Sequence, residues 1–136
     1  MRNTTQIGTA TEGAVLAALL RMGKTVLIPF GSQQDYDLVM EDNGSFSRIQ
    51  CKTGRWRQGS VYFNLYTMSQ STGSEIHTRR CYDDRVQFYG VYCPDNAKTY
   101  LVPNVGLGKA VCVLRVEPTI NNQLKNIRWA SEYEIK

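Results

Sequence analysis

The residues best suited to chemistry lie together in residues 36–52. This stretch predicts two strands joined by a turn at residues 42–45, where Asn and Gly favour a tight reversal. Asp37 opens the first strand, and Gln50 and Lys52 lie two residues apart near the end of the second. An acid on one strand, beside a polar residue and a lysine on its neighbour, can hold a divalent metal ion against a phosphate. We therefore predict an antiparallel hairpin that carries a phosphodiester-cleaving site.

Two alternatives stay open on this pattern. An ordinary hairpin with polar residues on its solvent face has the same spacing, because strand alternation alone puts Gln50 and Lys52 on one face. Asp35 and Glu41 share a strand face with Asp37, and either is a spare carboxylate. An amide oxygen can coordinate a metal ion but brings no charge, which makes Gln50 the weak element of the set.

A helix is predicted over residues 9–22, because apolar residues recur there at helical spacing and Gly23 follows as a C-terminal stop. Glu12 lies one turn before Leu16, at the edge of the buried stripe, and is the candidate second acid. The alternative is structural: Thr9 and Glu12 have the spacing of a capping box, and an acid suits the first turn of a helix. Both interpretations are compatible with the sequence.

The remaining chain predicts mainly strands. Apolar strand patterns occupy residues 25–29, which we expect to be buried on both faces, and residues 61–66, 86–93, 98–102 and 110–116. The polar residues 67–82 predict a long loop, and a short helix is predicted around residues 129–133. One strong helix followed by many strands indicates an α/β domain with a mixed central sheet, and 136 residues suit a single domain over residues 1–136.

Basic and aromatic residues near the hairpin are candidates for DNA contact. The glycine-bounded loop at residues 54–59 follows Lys52 directly, so its side chains are expected beside a scissile phosphate. Alternating side chains on the next strand and paired arginines in the long loop can face DNA as well. The candidates are Arg55, Trp56, Arg57, Tyr62, Asn64, Tyr66, Arg79 and Arg80. The alternatives are a solvated loop with one packing Trp and a half-exposed sheet face.

Composition narrows the classes of protein and site. The chain is 42% hydrophobic and 21% charged, and its net charge of +4 mildly favours a polyanionic partner. No apolar run approaches the roughly 18 residues of a membrane span, and the N-terminal residues contain no secretion signal. We therefore expect no membrane partner and a cytoplasmic protein. Cys51, Cys81, Cys93 and Cys112 include no C-x-x-C pair and His77 is the single histidine, so we predict free thiols rather than a zinc site.

Several segments together resemble the PD-(D/E)xK endonuclease family. The branch in question includes homing endonucleases encoded in group I introns of bacterial tRNA genes. The resemblance is carried by Gly8, Glu12, Gly23, Ile28-Pro29-Phe30-Gly31, Tyr36-Asp37-Leu38, Ile49-Gln50-Cys51-Lys52-Thr53-Gly54, residues 88–94, residues 100–103, Asn121-Asn122-Gln123 and Arg128-Trp129-Ala130. Because these segments cover nearly the whole chain, they are far more specific than the hairpin alone.

The resemblance implies a restriction-endonuclease-like core, a mixed sheet flanked by helices, that acts on DNA with Mg²⁺, for which Mn²⁺ can substitute. Asp37 matches the metal-binding Asp of the motif, Lys52 matches its lysine, and Glu12 matches the acid that many members carry on the first helix. Gln50 stands where the family usually has Asp or Glu, a departure that is similar to the habit of this branch. The main-chain carbonyl of Cys51 completes the metal ligands that the resemblance implies.

The implied function is a Mg²⁺-dependent, site-specific endonuclease of the homing type that cuts double-stranded DNA. One active site cuts one strand, so we expect a symmetric homo-oligomer, a dimer or a tetramer. We expect it in the prokaryotic cytoplasm, associated with the nucleoid when it acts. Two alternatives remain: a Holliday-junction resolvase that uses the same core on four-way DNA, and a non-catalytic DNA-binding module in which Gln50 marks lost chemistry.

Overall fold

The computed structural model describes residues 3–31, 34–70, 77–81, 85–118 and 126–136, and for residues 67–70 and 77–81 it describes the backbone. The elements in chain order are α1 (Thr4–Arg21), β1 (Thr25–Leu27), β2 (Leu38–Asp42), β3 (Ser45–Thr53), β4 (Arg55–Arg57), β5 (Ser60–Asn64), β6 (Tyr66–Gln70), β7 (His77–Cys81), β8 (Phe88–Cys93), β9 (Lys98–Pro103), β10 (Val111–Arg115) and a 3₁₀ turn (Ala130–Glu132). Within these described ranges, one α-helix and many strands confirm the predicted α/β class.

The central sheet is mixed, as predicted, and has the strand order β1-β2-β3-β8-β9. β3 pairs with β8 in parallel, with Ile49 opposite Phe88, whereas the other three pairings are antiparallel. β2 and β3 form the predicted hairpin, with Leu38 opposite Ile49. The strand that carries Gln50 and Lys52 is therefore the middle strand of this sheet.

Two hydrophobic clusters cover the two faces of the central sheet. On one face, α1 packs through Val15 and Leu19 against residues of β2 and β3 such as Ile49. On the other face lies a three-stranded antiparallel sheet with the order β10-β5-β4. Its Phe63 packs on Tyr89 of β8, with 5.6 Å between the ring centroids. The middle strand thus lies between a helix and a second sheet.

The helix begins earlier than predicted. Asn3 is the N-cap: its side chain accepts from the Gln6 N–H at 2.8 Å, and its own N–H donates to the Gln6 side chain at 3.0 Å. This reciprocal pair is the capping box, so the capping-box interpretation of Thr9 and Glu12 is wrong. Glu12 instead lies in the interior of α1. Gly23, with φ of 83°, follows the helix end as predicted.

Three local predictions about strands and loops are wrong. β1 lies at the edge of the central sheet with Leu27 exposed, rather than buried on both faces. The basic segment after β3 contains the strand β4, and the polar segment predicted as a long loop contains the hairpin of β6 and β7. In both segments the strands are made by backbone pairing, and their polar side chains carry no apolar period that a sequence pattern could detect.

The cysteines that the structure describes in full, Cys51, Cys93 and Cys112, are buried free thiols, as predicted. Within the described ranges, no helix combines the length and the apolar character needed to cross a bilayer.

Gly90 of β8 allows α1 to approach the sheet closely. A Cβ at this position would lie 2.6 Å from Cγ1 of Val15 and 3.2 Å from Cγ2 of Ile49, so Gly90→Ala must push the helix outward. We expect Gly90→Ala to lower the free energy of unfolding by about 1–3 kcal/mol, the usual cost of overpacking, in urea denaturation.

Gly13→Ala is the matched control, because it adds the same methyl group to the same helix–sheet unit. A Cβ at Gly13 would meet nothing within 4 Å. Helix propensity then predicts a gain of up to about 1 kcal/mol. Equal stability of Gly90→Ala and the wild type would contradict the proposed close packing.

Candidate active site

Asp37 is attached to the backbone of β3 at two points. Its N–H donates to the carbonyl of Ile49 at 2.9 Å, and its Oδ2 accepts from the N–H of Cys51 at 2.8 Å. The ladder between β2 and β3 ends at the pair Leu38–Ile49, so the carboxylate takes over as acceptor where the strand pairing stops. Burial raises the pKa of Asp37, while the Cys51 N–H and the charge of Lys52 oppose this in part.

Glu12 of α1 and Asp37 line one cavity. The cavity has a volume of about 260 Å³ and is lined by Glu12, Ile28, Pro29, Gly31, Gln34, Tyr36 and Asp37. Partial burial, and then the charge of Asp37, raise the pKa of Glu12. The structure therefore brings the two predicted acids together as like charges in one cavity. A bound cation would relieve their repulsion.

Lys52 and Gln50 lie on the face of β3 that is turned away from α1, in register with Val91 and Tyr89 of β8. The Lys52 Nζ donates to the main-chain carbonyl of Tyr66 at 2.8 Å, at the start of β6. Burial lowers the pKa of Lys52 to about 8, against an opposing contribution from the charge of Asp37. Gln50 is half-buried beside it. The acid and the lysine of the hairpin are therefore close enough to interact electrostatically.

The spare carboxylates predicted on the same strand face do not line this cavity. Asp35 forms an ion pair with Arg85, with 3.3 Å between Oδ2 and Nη1. Glu41 lies near the other end of β2, opposite Thr25 of β1. The geometry therefore favours Glu12 and Asp37 as the pair of acids.

The donor set fits a hard divalent cation. Among the residues that the structure describes, no three His, Cys, Asp or Glu side chains gather at one point. Mg²⁺ is commonly held by one or two carboxylates and keeps several of its waters, so Glu12 and Asp37 suffice as charged ligands. Gln50 and Cys51, whose oxygens the resemblance implies as neutral ligands, are not among the residues that line this cavity. Burial, and then the charges of Asp37 and Glu12, raise the pKa of the Cys51 thiol, so this thiol keeps its proton in the metal-free protein.

Four of the predicted DNA-contacting residues share one face of the three-stranded sheet β10-β5-β4, the small sheet. The register places Arg55 opposite Tyr62, and Arg57 opposite Ser60. Arg55 donates from Nη2 to Oδ1 of Asn64 at 3.3 Å. We use the name outer face for the set Arg55, Arg57, Tyr62, Asn64, Val111 and Val113, in which the two exposed valines come from β10.

The other four predicted DNA-contacting residues lie elsewhere. Trp56 alternates to the inner face of the small sheet and packs against the core, as the packing alternative expected. Tyr66 begins the next strand, β6. Arg79 and Arg80 lie in β7, opposite Met68 and Thr67, and their side chains fall outside the described residues. Trp56 and Tyr66 are therefore not part of the outer face, and β6 and β7 form a sheet of their own.

Two contacts at the site escaped the sequence analysis. One is the Tyr66 carbonyl that accepts from Lys52, which has no sequence signal because every residue has a carbonyl. The other joins the hydroxyl oxygens of Thr11 and Thr53 at 2.7 Å. Thr11 lies one turn before Val15 on the buried stripe of α1, so a polar residue in an apolar stripe was the available signal.

Comparisons with known proteins agree with this architecture. A family model described as PD-(D/E)XK endonuclease matches residues 2–136. The solved structure of a bacterial homing endonuclease, I-Ssp6803I, has a TM-score of 0.76 and 19% sequence identity, and the match covers 98% of this chain and 89% of that chain. At this identity the likeness shows a shared fold. No curated protein sequence matches the chain. Nucleases of the matched family generally use divalent metal ions.

The raised pKa of Glu12 predicts a cost to stability when no metal is bound. The folded state holds the proton of this acid more tightly than the unfolded state does, so the cost is absent well below pH 4.5 and grows as the pH rises through the raised pKa. We expect Glu12→Gln to melt at a higher temperature than the wild type in EDTA at pH 7, and this difference to vanish at acidic pH.

Added Mg²⁺ should reverse the order of the two melting temperatures. It is expected to raise the melting temperature of the wild type more than that of Glu12→Gln, because the variant lacks one charged ligand. Glu132→Gln, which removes an exposed acid from the 3₁₀ turn, is the control and should follow the wild type. An equal Mg²⁺ shift in Glu12→Gln and wild type would rule out Glu12 as a ligand.

Proposed function

Because the chain belongs to the PD-(D/E)XK endonuclease family and is in consequence a nuclease that acts on DNA, we propose that it is a Mg²⁺-dependent, site-specific endonuclease that cuts double-stranded DNA. One observation carries the proposal: the carboxylates of Glu12 and Asp37 line one cavity, and Asp37 interacts with a lysine of lowered pKa. A non-catalytic DNA-binding module has no need for such an arrangement, since like charges and a buried amine both oppose folding.

Glu12 and Asp37 have the role of holding Mg²⁺, with the Gln50 amide and the Cys51 carbonyl as neutral donors. When bound, Mg²⁺ supplies positive charge that offsets the charge developing on the scissile phosphate. The Cys51 N–H fixes one oxygen of Asp37, which orients the other oxygen of this carboxylate. Gln50 contributes no charge, so the site is less negative than one with Asp or Glu at that position.

Lys52 has the role of orienting or deprotonating the attacking water. A group that titrates near the working pH exchanges protons best, and the pKa of Lys52, about 8, lies near neutrality because burial disfavours its charged form. The ammonium also offsets negative charge in the transition state. Its bond to the Tyr66 carbonyl keeps the amine pointed to one side of β3.

The outer face is proposed to contact the DNA. Arg55 and Arg57 supply cations for phosphates, while Tyr62 and Asn64 supply polar groups for bases or sugars. Cleavage of both strands requires two sites, so we propose a symmetric homo-oligomer, a dimer or a tetramer. The fold likeness to a homing endonuclease supports a homing role, with site-specific cutting of intron-free target genes. A junction resolvase is the second candidate, and the substrate decides between the two.

Cleavage of defined substrates tests the proposed activity. The wild type is expected to cut linear duplexes carrying bacterial tRNA-gene sequences at one position, in Mg²⁺ and not in EDTA. A synthetic four-way junction without that sequence should stay intact, and preferential cutting of the junction would favour the resolvase. Lys52→Ala should cut at least about 100-fold more slowly while it still binds, since acid–base catalysis contributes that much.

Lys24→Ala is the control for this variant. It removes the same charge at a lysine that pairs with Asp42, at the far end of β2 from Asp37. It is expected to cut at the wild-type rate. Wild-type cutting by Lys52→Ala would show that Lys52 has no chemical role.

The salt dependence of binding tests the outer face. Each phosphate contact to duplex DNA adds about 0.9 to the slope of log affinity against log salt concentration. Arg57→Ala should therefore bind a linear duplex more weakly in EDTA, with a slope reduced by about 0.9. Arg21→Ala removes a charge from the last turn of α1, on the opposite face of the central sheet, and should leave the slope unchanged. Identical slopes for Arg57→Ala and Arg21→Ala would show that the DNA does not bind at the outer face.

A further inference from the structure

We propose that Thr11 is a positioning residue for the two acids. Its hydroxyl shares a hydrogen bond of 2.7 Å with the hydroxyl of Thr53, across the interface between α1 and the end of β3. Thr11 is 2% exposed, and its neighbour Glu12 carries the carboxylate of the helix. The inference rests on the proposed function, since it concerns how Glu12 is placed relative to Asp37.

The bond joins the two backbones next to the residues of the site. Thr11 is adjacent to Glu12 in α1, and Thr53 is adjacent to Lys52 in β3. Thr53 also follows Cys51 by two residues, and the Cys51 N–H holds Asp37. A change in the distance between the two threonines is therefore passed through short, rigid stretches of helix and strand to both acids.

Close packing holds the helix only on one side of Glu12. At Val15, three residues further along, α1 lies directly over Gly90 of β8. Towards the N-terminus, residues 4–10 of α1 are exposed or half-buried, so Thr11 is the first buried residue of the helix. Glu12 thus lies between two attachments, of which one is apolar packing and the other is a single hydrogen bond.

The space beside the threonine pair explains why the hydrogen bond, rather than packing, sets the distance there. A cavity of about 540 Å³ borders the pair and is lined by Ile7, Ala10, Thr11, Thr53, Gly54, Arg55, Tyr92, Pro94 and Asp95. Among the residues that the structure describes, no side chain fills this cavity to press the helix against β3. Without the hydrogen bond, this end of α1 has room to move.

The size of the expected movement follows from contact distances. Two hydroxyl oxygens approach to 2.7 Å here, whereas two methyl groups in contact stay about 3.5–4.0 Å apart. Replacing both hydroxyls by methyl groups therefore lengthens the link by about 1 Å. A misplacement of about 1 Å at a reacting centre can lower the rate about 100-fold.

The experiment compares Thr11→Val, Thr53→Val and the double variant, because valine has the shape of threonine without its hydroxyl. Thr53→Val leaves the buried hydroxyl of Thr11 without its partner, and Thr11→Val does the same to the half-buried hydroxyl of Thr53, so each single change should lower the stability. The double change leaves none unpaired, so its melting temperature should return towards that of the wild type. The double variant then separates a structural role from a positioning role.

Two measurements report on the positions of the two acids. One is the dissociation constant for Mn²⁺, measured from the free Mn²⁺ signal in electron paramagnetic resonance without DNA. The other is cleavage of the linear duplex, resolved into kcat and KM. For the double variant we expect at least a tenfold weaker Mn²⁺ affinity and a kcat lower by about 10- to 100-fold, with little change in KM. Thr11→Ser retains the hydroxyl, so most of the Mn²⁺ affinity and of the kcat that the double variant loses should be kept.

Thr9→Val is the control, since Thr9 is exposed on the same helix and donates only to the Thr5 carbonyl in its own chain segment. It should match the wild type in both readouts. A double variant with restored stability and wild-type Mn²⁺ affinity and kcat would overturn the positioning role. A wild type that binds no Mn²⁺ and cuts no DNA would instead overturn the proposed function, and the inference with it.

Discussion

Where β2 separates from β3, the N–H of Cys51 donates to the side chain of Asp37 instead of to a neighbouring strand. This bond fixes a carboxylate beside a cavity, at the end of the ladder between β2 and β3. Burial is the main cause of the pKa shifts of Glu12 and Lys52, and the charge of that carboxylate adds to the shift of Glu12 and opposes the shift of Lys52. The helix, through Glu12, and the hairpin, through Asp37 and Cys51, meet at this point.

The local part of this arrangement could be predicted from the sequence. The hairpin of residues 36–52 has a turn and a strand alternation that depend only on neighbouring residues, and both appear in the structure. The helix phase placed Glu12 at the edge of the buried stripe, and the structure finds it in the cavity with Asp37. The functional roles proposed for these residues rest on the family resemblance, since their spacing alone also fits an ordinary hairpin.

The rest depended on contacts between distant parts of the chain. The helix start was misjudged because the Asn3–Gln6 box lies before any apolar period. β4, β6 and β7 are made by backbone pairing of polar segments, which leaves no pattern. The partner of Lys52 is a main-chain carbonyl, and Trp56 turned inward because the register of β4 with β5 decided its face. These features are decided by tertiary contacts, which a local sequence pattern does not show.

The parallel pairing of β3 with β8 also has a consequence for the order of folding. Its register joins Ile49 to Phe88, so the middle strand receives one of its two neighbours from a distant part of the chain. Contacts of such large sequence separation form slowly, because a long loop must first close. A nascent chain that ends before β8 therefore has the acids and the lysine but not the burial that tunes them. The complete site therefore forms late, after most of the β-strands have been synthesised.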